Sequence, residues 1–345
     1  MAYRAAVVGA SGYAGAELLR IVAGHPEMAV ATAVAGTHAG QEVAGLFPSL
    51  AQAYPGVVLD PLDPVALDGL DVAFLALPHG ESQRLVPELL DRVGHVVDLG
   101  ADFRLPAAVY EQWYGAPHAA PELLGRFAFG LPELFRERIT AETAVAAPGC
   151  YPTASALALA PLLAGGLAEP TGIVVDAVSG VSGRGRGLAE AGLFSEANET
   201  VTPYGLLTHR HTGEIEWALS EVHGAPVQVL FTPHLVPMTR GLLATCTARP
   251  ATAGLTTARL LDAYREFYAQ EPFVVVLDEP PTTKATVGSN SAQLTVRFDD
   301  RTGTILAFGA LDNLGKGAAG QAVQAANLVL GLPEATGLPC VGIMP

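Results

Sequence analysis

The sequence is poor in cysteine, in basic residues and in long apolar runs. Three cysteines occur in 345 residues, an odd number with no metal-ligand spacing, which argues against a disulfide framework or a bound metal and favours a reducing compartment. Nineteen basic against 34 acidic residues give a net charge of -15, which disfavours binding to nucleic acid or to anionic membranes. No uncharged apolar run reaches the roughly 18 residues of a membrane helix, and no leader pattern opens the chain. We therefore expect a cytoplasmic protein that binds neither membranes nor nucleic acid.

The first half of the chain alternates short apolar runs with helical patterns. Strand-like runs cover residues 3–10, 28–36, 71–78 and 95–101, and apolar residues recur at helical spacing over 14–25 and 81–93. Strand and helix in alternation predict a doubly wound parallel sheet of the Rossmann type. The fold class predicted for the whole chain is α/β.

The pattern changes after Cys150. One long helix is followed by six strand-like runs with a single helix among them, which predicts a second domain of α+β type with a largely antiparallel sheet. The helical pattern at 317–331 is expected to return to the first domain. The predicted dinucleotide-binding domain is 1–149 plus about 314–345, and the predicted catalytic and oligomerisation domain is 150–313.

A glycine-rich turn, "VVGASGYAG", joins the first strand to the first helix. Glycines in such a turn let backbone N–H groups approach a pyrophosphate at the helix N-terminus. NAD-binding chains place a carboxylate at the end of the second strand, but here the sequence is "AVAGTHAGQ". Thr37 and His38 can receive a 2'-phosphate instead, so NADP(H) is the predicted cofactor.

Cys150 lies in "AAPGCYPTAS", between Pro-Gly and Tyr-Pro, at the start of an apolar helix. The helix dipole and the free N–H groups of the first turn favour a thiolate, and Gly149 leaves space beside the sulfur. We therefore predict that Cys150 is a nucleophile. Cys246 alternates with Leu242 and Ala244 along a strand and is interpreted as core packing.

A nucleophilic cysteine needs an acid/base partner, and "HRHTGEIEWAL" concentrates titratable groups before a helix that opens with Glu214. Arg104 and His79 each follow a strand at its carboxyl end, where ligands bind in open α/β sheets. The loop "SGVSGRGRG" offers Arg184 and Arg186 for an anion. Which arginine binds phosphate is left open.

Seven motifs, in order, resemble the N-acetyl-gamma-glutamyl-phosphate reductases: "GASGYAG", "DLGADFRL", "PGCYPT", "SGVSGRGR", "HRHTGEI", "TPHLVPMTRG" and "DNLGKGAAGQAVQ". The resemblance implies NADPH-dependent reduction of N-acetylglutamyl 5-phosphate in arginine biosynthesis through a cysteine thioester. It also implies a homotetramer with the domains of aspartate-semialdehyde and glyceraldehyde-3-phosphate dehydrogenases. The family commonly has "SGAGRK" where this chain has "SGRGRG", so Arg184 is an addition.

The resemblance assigns the nucleophile to Cys150 and the acid/base group to His209. The residues expected at the substrate are Arg104, Arg184, Arg186 and His211. Those expected at the cofactor, from the turn, the strand ends and the resemblance together, are Gly9, Ser11, Gly12, Tyr13, Ala14, Gly15, Thr37, His38, His79, Ser182, Gly183, Asn313 and Lys316.

Four alternatives are open from sequence. One is the related reductase of lysine biosynthesis, whose aminoadipyl phosphate is carried on an acidic protein that a net charge of -15 would repel. A second is an aspartate-semialdehyde dehydrogenase-like reductase. A Cys-His hydrolase or acyltransferase would not need the glycine turn. An NADP-binding regulator would use Cys150 only as a redox sensor.

Overall fold

A computed structural model describes residues 2–344, which form two compact units. The first comprises residues 2–148 and 318–338, and the second comprises 149–317 and 339–344. The carboxyl-terminal tail belongs to the second unit, where the sequence had suggested the first, because its backbone is bonded there. Asn290 N–H donates to the Pro339 carbonyl at 2.7 Å, and Ile343 N–H donates to the Val287 carbonyl at 2.7 Å.

The first unit is built on a six-stranded parallel sheet of order β2-β1-β3-β4-β6-β5. Its strands are β1 (Tyr3–Val8), β2 (Met28–Val34), β3 (Val72–Leu75), β4 (His95–Asp98), β5 (Phe127–Phe129) and β6 (Ala144–Ala146). Its helices, numbered in chain order, are α1 (Tyr13–Ala23), α2 (Val43–Leu46), α3 (Ser82–Leu89), α4 (Ala107–Tyr114), α5 (Pro132–Ala141) and α10 (Gly320–Val329). Every residue of β3 is buried, as in a parallel sheet covered on both faces.

The last helix, α10, closes this unit. It packs against α1, α5 and β4, and its inner positions are buried from Gly320 to Asn327. The Tyr3 hydroxyl donates to the Leu330 carbonyl at 3.0 Å, which ties the two ends of the unit together.

The second unit is built on a seven-stranded mixed sheet of order β11-β12-β13-β10-β7-β9-β8. Its strands are β7 (Ile173–Gly180), β8 (Thr202–Pro203), β9 (Val229–Val236), β10 (Leu242–Ala248), β11 (Val274–Val276), β12 (Ala292–Asp299) and β13 (Thr304–Leu311). Its helices are α6 (Cys150–Ala164), α7 (Phe194–Ala197), α8 (His211–His223) and α9 (Thr257–Phe267). The β7–β9 and β11–β12 pairs are parallel and the other pairs are antiparallel.

Helix α6 is the core of the second unit. All its residues from Tyr151 to Leu163 are buried, and the helix packs on β10, β13 and α8. Gly309 of β13 permits this approach, because a Cβ there would lie 2.7 Å from the Ala154 carbonyl oxygen. The helix that carries Cys150 is therefore held rigidly against the sheet.

Within residues 2–344, no helix is both long and apolar enough to cross a lipid bilayer.

Candidate active site

The glycine turn of the first unit has the backbone shape that the sequence predicts. Gly9 has a φ of +91°, and its N–H donates to the Val34 carbonyl of β2 at 2.9 Å. A Cβ on Gly9 would lie 2.2 Å from the Ala76 carbonyl oxygen, and one on Gly15 would lie 2.3 Å from the Gly9 carbonyl oxygen. No side chain caps α1 at Gly12, which suits a helix N-terminus that receives an anion.

We expect Gly9→Ala to abolish this turn. The substitution forces a side chain into a left-handed conformation and into backbone that cannot yield, so cofactor affinity should fall at least about 10-fold, together with a loss of about 1 to 3 kcal/mol of stability. NADPH fluorescence titration and thermal unfolding measure the two effects. Gly45→Ala is the matched control, since a Cβ there meets nothing within 4 Å.

A cavity of about 410 Å³ lies between the glycine turn and the end of β2. Its lining includes Gly9, Gly36, Leu62 and Arg84, so the turn and the strand end border one space. Thr37 and His38 follow Gly36 directly; Thr37 is exposed, and His38 is half-buried with its Nδ1 3.3 Å from Gln41 Oε1. The residues present therefore fit the adenosine half of a dinucleotide.

The loops after β3 and β4 fix His79 in place. His79 Nδ1 lies 2.7 Å from the buried Asp102 carboxylate, which also accepts the Gly80 N–H at 2.9 Å. The imidazole lies against Tyr114, with ring centroids 4.5 Å apart. Arg104, expected to grip a substrate anion, is buried and donates to the Leu99 carbonyl of its own loop at 2.6 Å.

Asp98, at the end of β4, is fully buried and accepts hydrogen bonds from the Ser82 hydroxyl at 2.7 Å and the Gly100 N–H at 2.8 Å. Burial raises the pKa of its carboxyl to about 6, against smaller opposing effects of these two donors. The folded protein therefore holds this proton more tightly than the unfolded chain does. Stability from this group is present at low pH and is lost as the pH rises from about 4 through 6.

We accordingly expect Asp98→Asn to become relatively more stable than the parent protein as the pH rises. The amide oxygen can keep both donors, and the neutral group removes the ionisation penalty, worth about 2 to 3 kcal/mol between pH 4.5 and 7.5. Chemical denaturation across this range is the measurement, with exposed Asp300→Asn as control. A difference independent of pH would contradict the prediction.

In the second unit, Cys150 is the first residue of α6, directly after the N-cap Gly149. The first turn has no side-chain cap, and the Thr153 N–H and hydroxyl both bond to the Gly149 carbonyl. Gly317 lies against the cysteine, because a Cβ there would be 2.7 Å from Cys150 Cβ. The thiol is thus held at a helix start between two glycines. Cys246, in contrast, is buried in β10 as predicted, and Cys340 is exposed.

Both histidines of "HRHTGEI" lie in this unit, with ring centroids 4.8 Å apart. Helix α8 begins at His211, three residues before Glu214, so the sequence-based start was late. A Cβ on Gly149 would lie 2.4 Å from His211 Nε2, which places this imidazole against the residue before Cys150. The glycine is therefore required by the histidine beside it.

Glu214 is a buried carboxylate that sequence analysis did not identify as a site residue. One oxygen accepts the Gly149 N–H at 3.1 Å, and the other lies 3.9 Å from His211 Nε2. It therefore connects the cysteine's helix to the histidine. The available signal was its position at i+3 from His211, which places both on one face of a helix.

The protonation state of His209 is set by its burial. Burial, with a further contribution from His211, lowers the pKa of His209 to about 3, so the ring is neutral at physiological pH. His211 N–H donates to His209 Nδ1 at 3.2 Å, which leaves the proton on Nε2. His209 can thus donate a hydrogen bond, but it is a poor proton carrier near neutrality.

Two tyrosines complete this cluster, and sequence analysis missed both. The Tyr204 hydroxyl donates to the Tyr151 hydroxyl at 3.2 Å, which in turn donates to the His234 carbonyl at 3.1 Å. Burial raises the pKa of both phenols, that of Tyr204 to about 12, and Cys150 lies close enough to raise both further. Tyr151 lies in the motif "PGCYPT", but no pattern in the sequence pairs it with Tyr204, because their meeting depends on how β8 pairs with β9.

The other predicted residues of the second unit fall into two groups. Asn313 donates to the Ser182 hydroxyl at 2.9 Å and accepts the Gly241 N–H at 2.8 Å, and Gly183 lies beside them. The Lys316 side chain is fully buried, with Nζ 5.9 Å from the centre of the Phe273 ring. Their contact with a cofactor stays a prediction. Among residues 2–344, no three His, Cys, Asp or Glu side chains are grouped to hold a metal ion.

Comparison with known proteins agrees with this fold. Family models match both parts of the chain: the semialdehyde dehydrogenase NAD binding domain over residues 4–142 and the semialdehyde dehydrogenase dimerisation domain over 150–313. Aspartate semialdehyde dehydrogenase II of Vibrio cholerae has a TM-score of 0.73 at 17% identity, covering 96% of this chain and 99% of that one. The enzyme of Candida albicans, solved with NADP, has a TM-score of 0.67 at 14% identity, covering 96% and 99%. The predicted two-domain α/β fold is confirmed, and it defines a protein of the semialdehyde dehydrogenase class.

Curated relatives narrow the class. The chain is 51% identical to the N-acetyl-gamma-glutamyl-phosphate reductase of Symbiobacterium thermophilum over 98% of both chains. It is 48% identical to that of Acidothermus cellulolyticus over 100% of both. The chain belongs to the N-acetyl-gamma-glutamyl-phosphate reductase family, which confirms the resemblance seen in the motifs.

Proposed function

We propose that the protein reduces N-acetyl-L-glutamyl 5-phosphate to N-acetyl-L-glutamate 5-semialdehyde and inorganic phosphate, with NADPH, as the third step of arginine biosynthesis. The observation that carries this proposal is Cys150 at a helix start, with the imidazole of His211 and the buried Glu214 both against the adjacent Gly149. An acyl phosphate is the substrate class that such a thiol can use, because phosphate is a good leaving group.

The thiolate of Cys150 attacks the acyl carbon, the C–O bond to phosphate breaks, and inorganic phosphate leaves with the electron pair. When bound, a nicotinamide would supply the hydride for reduction of the resulting thioester carbonyl. An imidazole then gives a proton to the oxygen of the thiohemiacetal, and takes it back when the C–S bond breaks to release the aldehyde and the thiolate. The first turn of α6 favours the anionic sulfur at the start and end of the cycle.

The structure and the sequence suggest different histidines for the imidazole that transfers the proton. The motif resemblance assigns proton transfer to His209. The geometry favours His211 instead, because its Nε2 lies near a buried carboxylate and against Gly149, whereas His209 is neutral. We propose His211 as the acid/base residue and His209 as a neutral hydrogen-bond donor to the substrate.

NADP(H) is the proposed cofactor, in preference to NAD(H). Support comes from the end of β2, where Gly36, Thr37 and His38 offer no carboxylate to repel a 2'-phosphate. The proposed contacts are the glycine turn with Ser11 for the pyrophosphate, and Thr37 and His38 for the 2'-phosphate. Steady-state rates with NADPH and NADH at equal concentration test this choice.

We also propose a cytoplasmic homotetramer. Along β7, β10 and β13, alternate residues are buried by the helices, while the opposite face of the sheet stays partly exposed. That face carries Phe308 and the half-exposed Leu230, as expected where a second copy of the chain covers a sheet. Light scattering at the mass of a single 35.6-kDa chain would contradict this assembly.

The test of the activity runs the reaction backwards. Purified protein is given N-acetylglutamate semialdehyde, phosphate and NADP, and NADPH formation is recorded; the assay is repeated with aspartate semialdehyde. We expect turnover that requires phosphate and that strongly favours the first aldehyde. No rate with N-acetylglutamate semialdehyde, or a higher rate with aspartate semialdehyde, would overturn the assignment.

A further inference from the structure

A second cavity, of about 620 Å³, lies wholly within the second unit and has no role in the chemistry described above. Its wall combines one guanidinium, two carboxylates, hydroxyl groups and small apolar side chains. The residues that matter here are Arg184, Glu190, Glu196, Thr200, Thr202 and Tyr204. Ala189, Ala191 and Ala197 supply the small apolar surface.

Tyr204 connects this cavity to the reaction centre. It lines the cavity, and its ring lies 5.4 Å from that of His209. Its hydroxyl is bonded to that of Tyr151, the residue after Cys150. Through Tyr204 the cavity therefore adjoins the residues that surround Cys150.

Arg184 is the cation of the cavity wall. It ends the 3-10 turn Val181–Arg184, which follows β7, and Gly185 with a φ of +80° turns the chain away from it. Within residues 2–344, no carboxylate forms an ion pair with Arg184. Its guanidinium is thus available for a carboxylate of a ligand, which it can bind through two parallel hydrogen bonds.

We infer that this cavity binds the far end of the acyl substrate: Arg184 pairs with the α-carboxylate, Glu190 or Glu196 accepts the amide N–H, and the alanines receive the acetyl methyl group. This inference rests on the proposed function, and it names the part of the site that distinguishes an N-acylated amino acid from other acyl phosphates. The ligand class is an N-acyl α-amino acid.

The alternative occupant is the phosphate group, and the charges of the wall disfavour it. Glu190 and Glu196 lie in the same wall as Arg184. Two carboxylates repel a dianionic phosphate more strongly than a monoanionic carboxylate. An amide N–H, in contrast, needs an acceptor of this kind.

The experiment compares two aldehydes with two enzymes. N-acetylglutamate semialdehyde carries the α-carboxylate, and 4-acetamidobutanal is the same molecule without it. The parent enzyme should favour the first by about 10- to 100-fold in kcat/KM, the size expected for an arginine–carboxylate pair. In Arg184→Gln, kcat/KM for N-acetylglutamate semialdehyde should fall by that factor. The kcat/KM for 4-acetamidobutanal and the KM for phosphate should stay unchanged.

Arg184→Lys keeps the charge but not the two parallel donors of the guanidinium. Its preference for N-acetylglutamate semialdehyde should therefore lie between that of the parent and that of Arg184→Gln. Arg301→Gln removes an exposed arginine from the turn between β12 and β13 and should leave the preference intact. If Arg184→Gln keeps the parental preference, or raises the KM for phosphate instead, the inference is overturned. If the parent oxidises neither aldehyde, the proposed function fails and the inference fails with it.

Discussion

Cys150→Ser should reduce turnover by a factor of about 10³ or more, while the protein folds and binds NADPH normally. A serine hydroxyl is of similar size, but it is hardly ionised at neutral pH, and an ester accepts hydride less readily than a thioester. Because Cys150 belongs to the second unit, the glycine turn of the first unit is untouched. The loss should therefore appear in kcat/KM for the aldehyde and not in the fluorescence titration of NADPH.

Cys340→Ser is the matched control, since this cysteine is exposed and its backbone carbonyl, which the substitution keeps, accepts the Ser291 hydroxyl at 2.6 Å. It should keep parental activity. Alkylation with iodoacetamide should inactivate the parent and the Cys340 variant in parallel with modification of Cys150. Turnover in Cys150→Ser close to that of the parent would exclude a thioester mechanism. Equal absence of turnover in parent and variant would favour the redox-sensing alternative.

The strands that sequence patterns located are those with long buried runs. The predicted segments 3–10 and 71–78 correspond to β1 and β3, each of which has four consecutive buried residues. Strands β5 and β6 have three residues each, too few for any period to be recognised. They are defined by pairing with each other and with β4, which is tertiary information.

The site was predictable wherever local backbone chemistry determines it. The glycine turn and the cysteine at a helix start are local motifs, and both have the predicted form. Glu214 and Tyr204 could not be assigned in this way, because their roles depend on partners 65 and 53 residues away in the chain. In the sequence, Glu214 three residues after His211 is an ordinary acidic residue in the first turn of a helix. Only the folded structure shows that its carboxylate accepts the Gly149 N–H.

Substituting each histidine separately should show which one transfers the proton. His211→Asn should lower kcat by about 10²- to 10⁴-fold, the usual effect of removing an acid/base group. His209→Asn should lower it less, because the Asn oxygen can still accept the His211 N–H that His209 Nδ1 accepts now at 3.2 Å. The measurement is kcat as a function of pH for both variants.

The pH profile separates the two assignments independently of the size of the loss. Since burial lowers the pKa of His209 to about 3, this ring stays neutral across the assay range and contributes no titration near neutrality. His209→Asn should therefore keep the parental profile, while His211→Asn should lose the limb that belongs to the proton-transferring group. Glu214→Gln, which keeps an acceptor for Gly149 N–H but removes the charge near His211, should shift the same limb. A profile abolished in His209→Asn and intact in His211→Asn would return the role to His209, and would mean that the imidazole against Gly149 serves only to position the substrate.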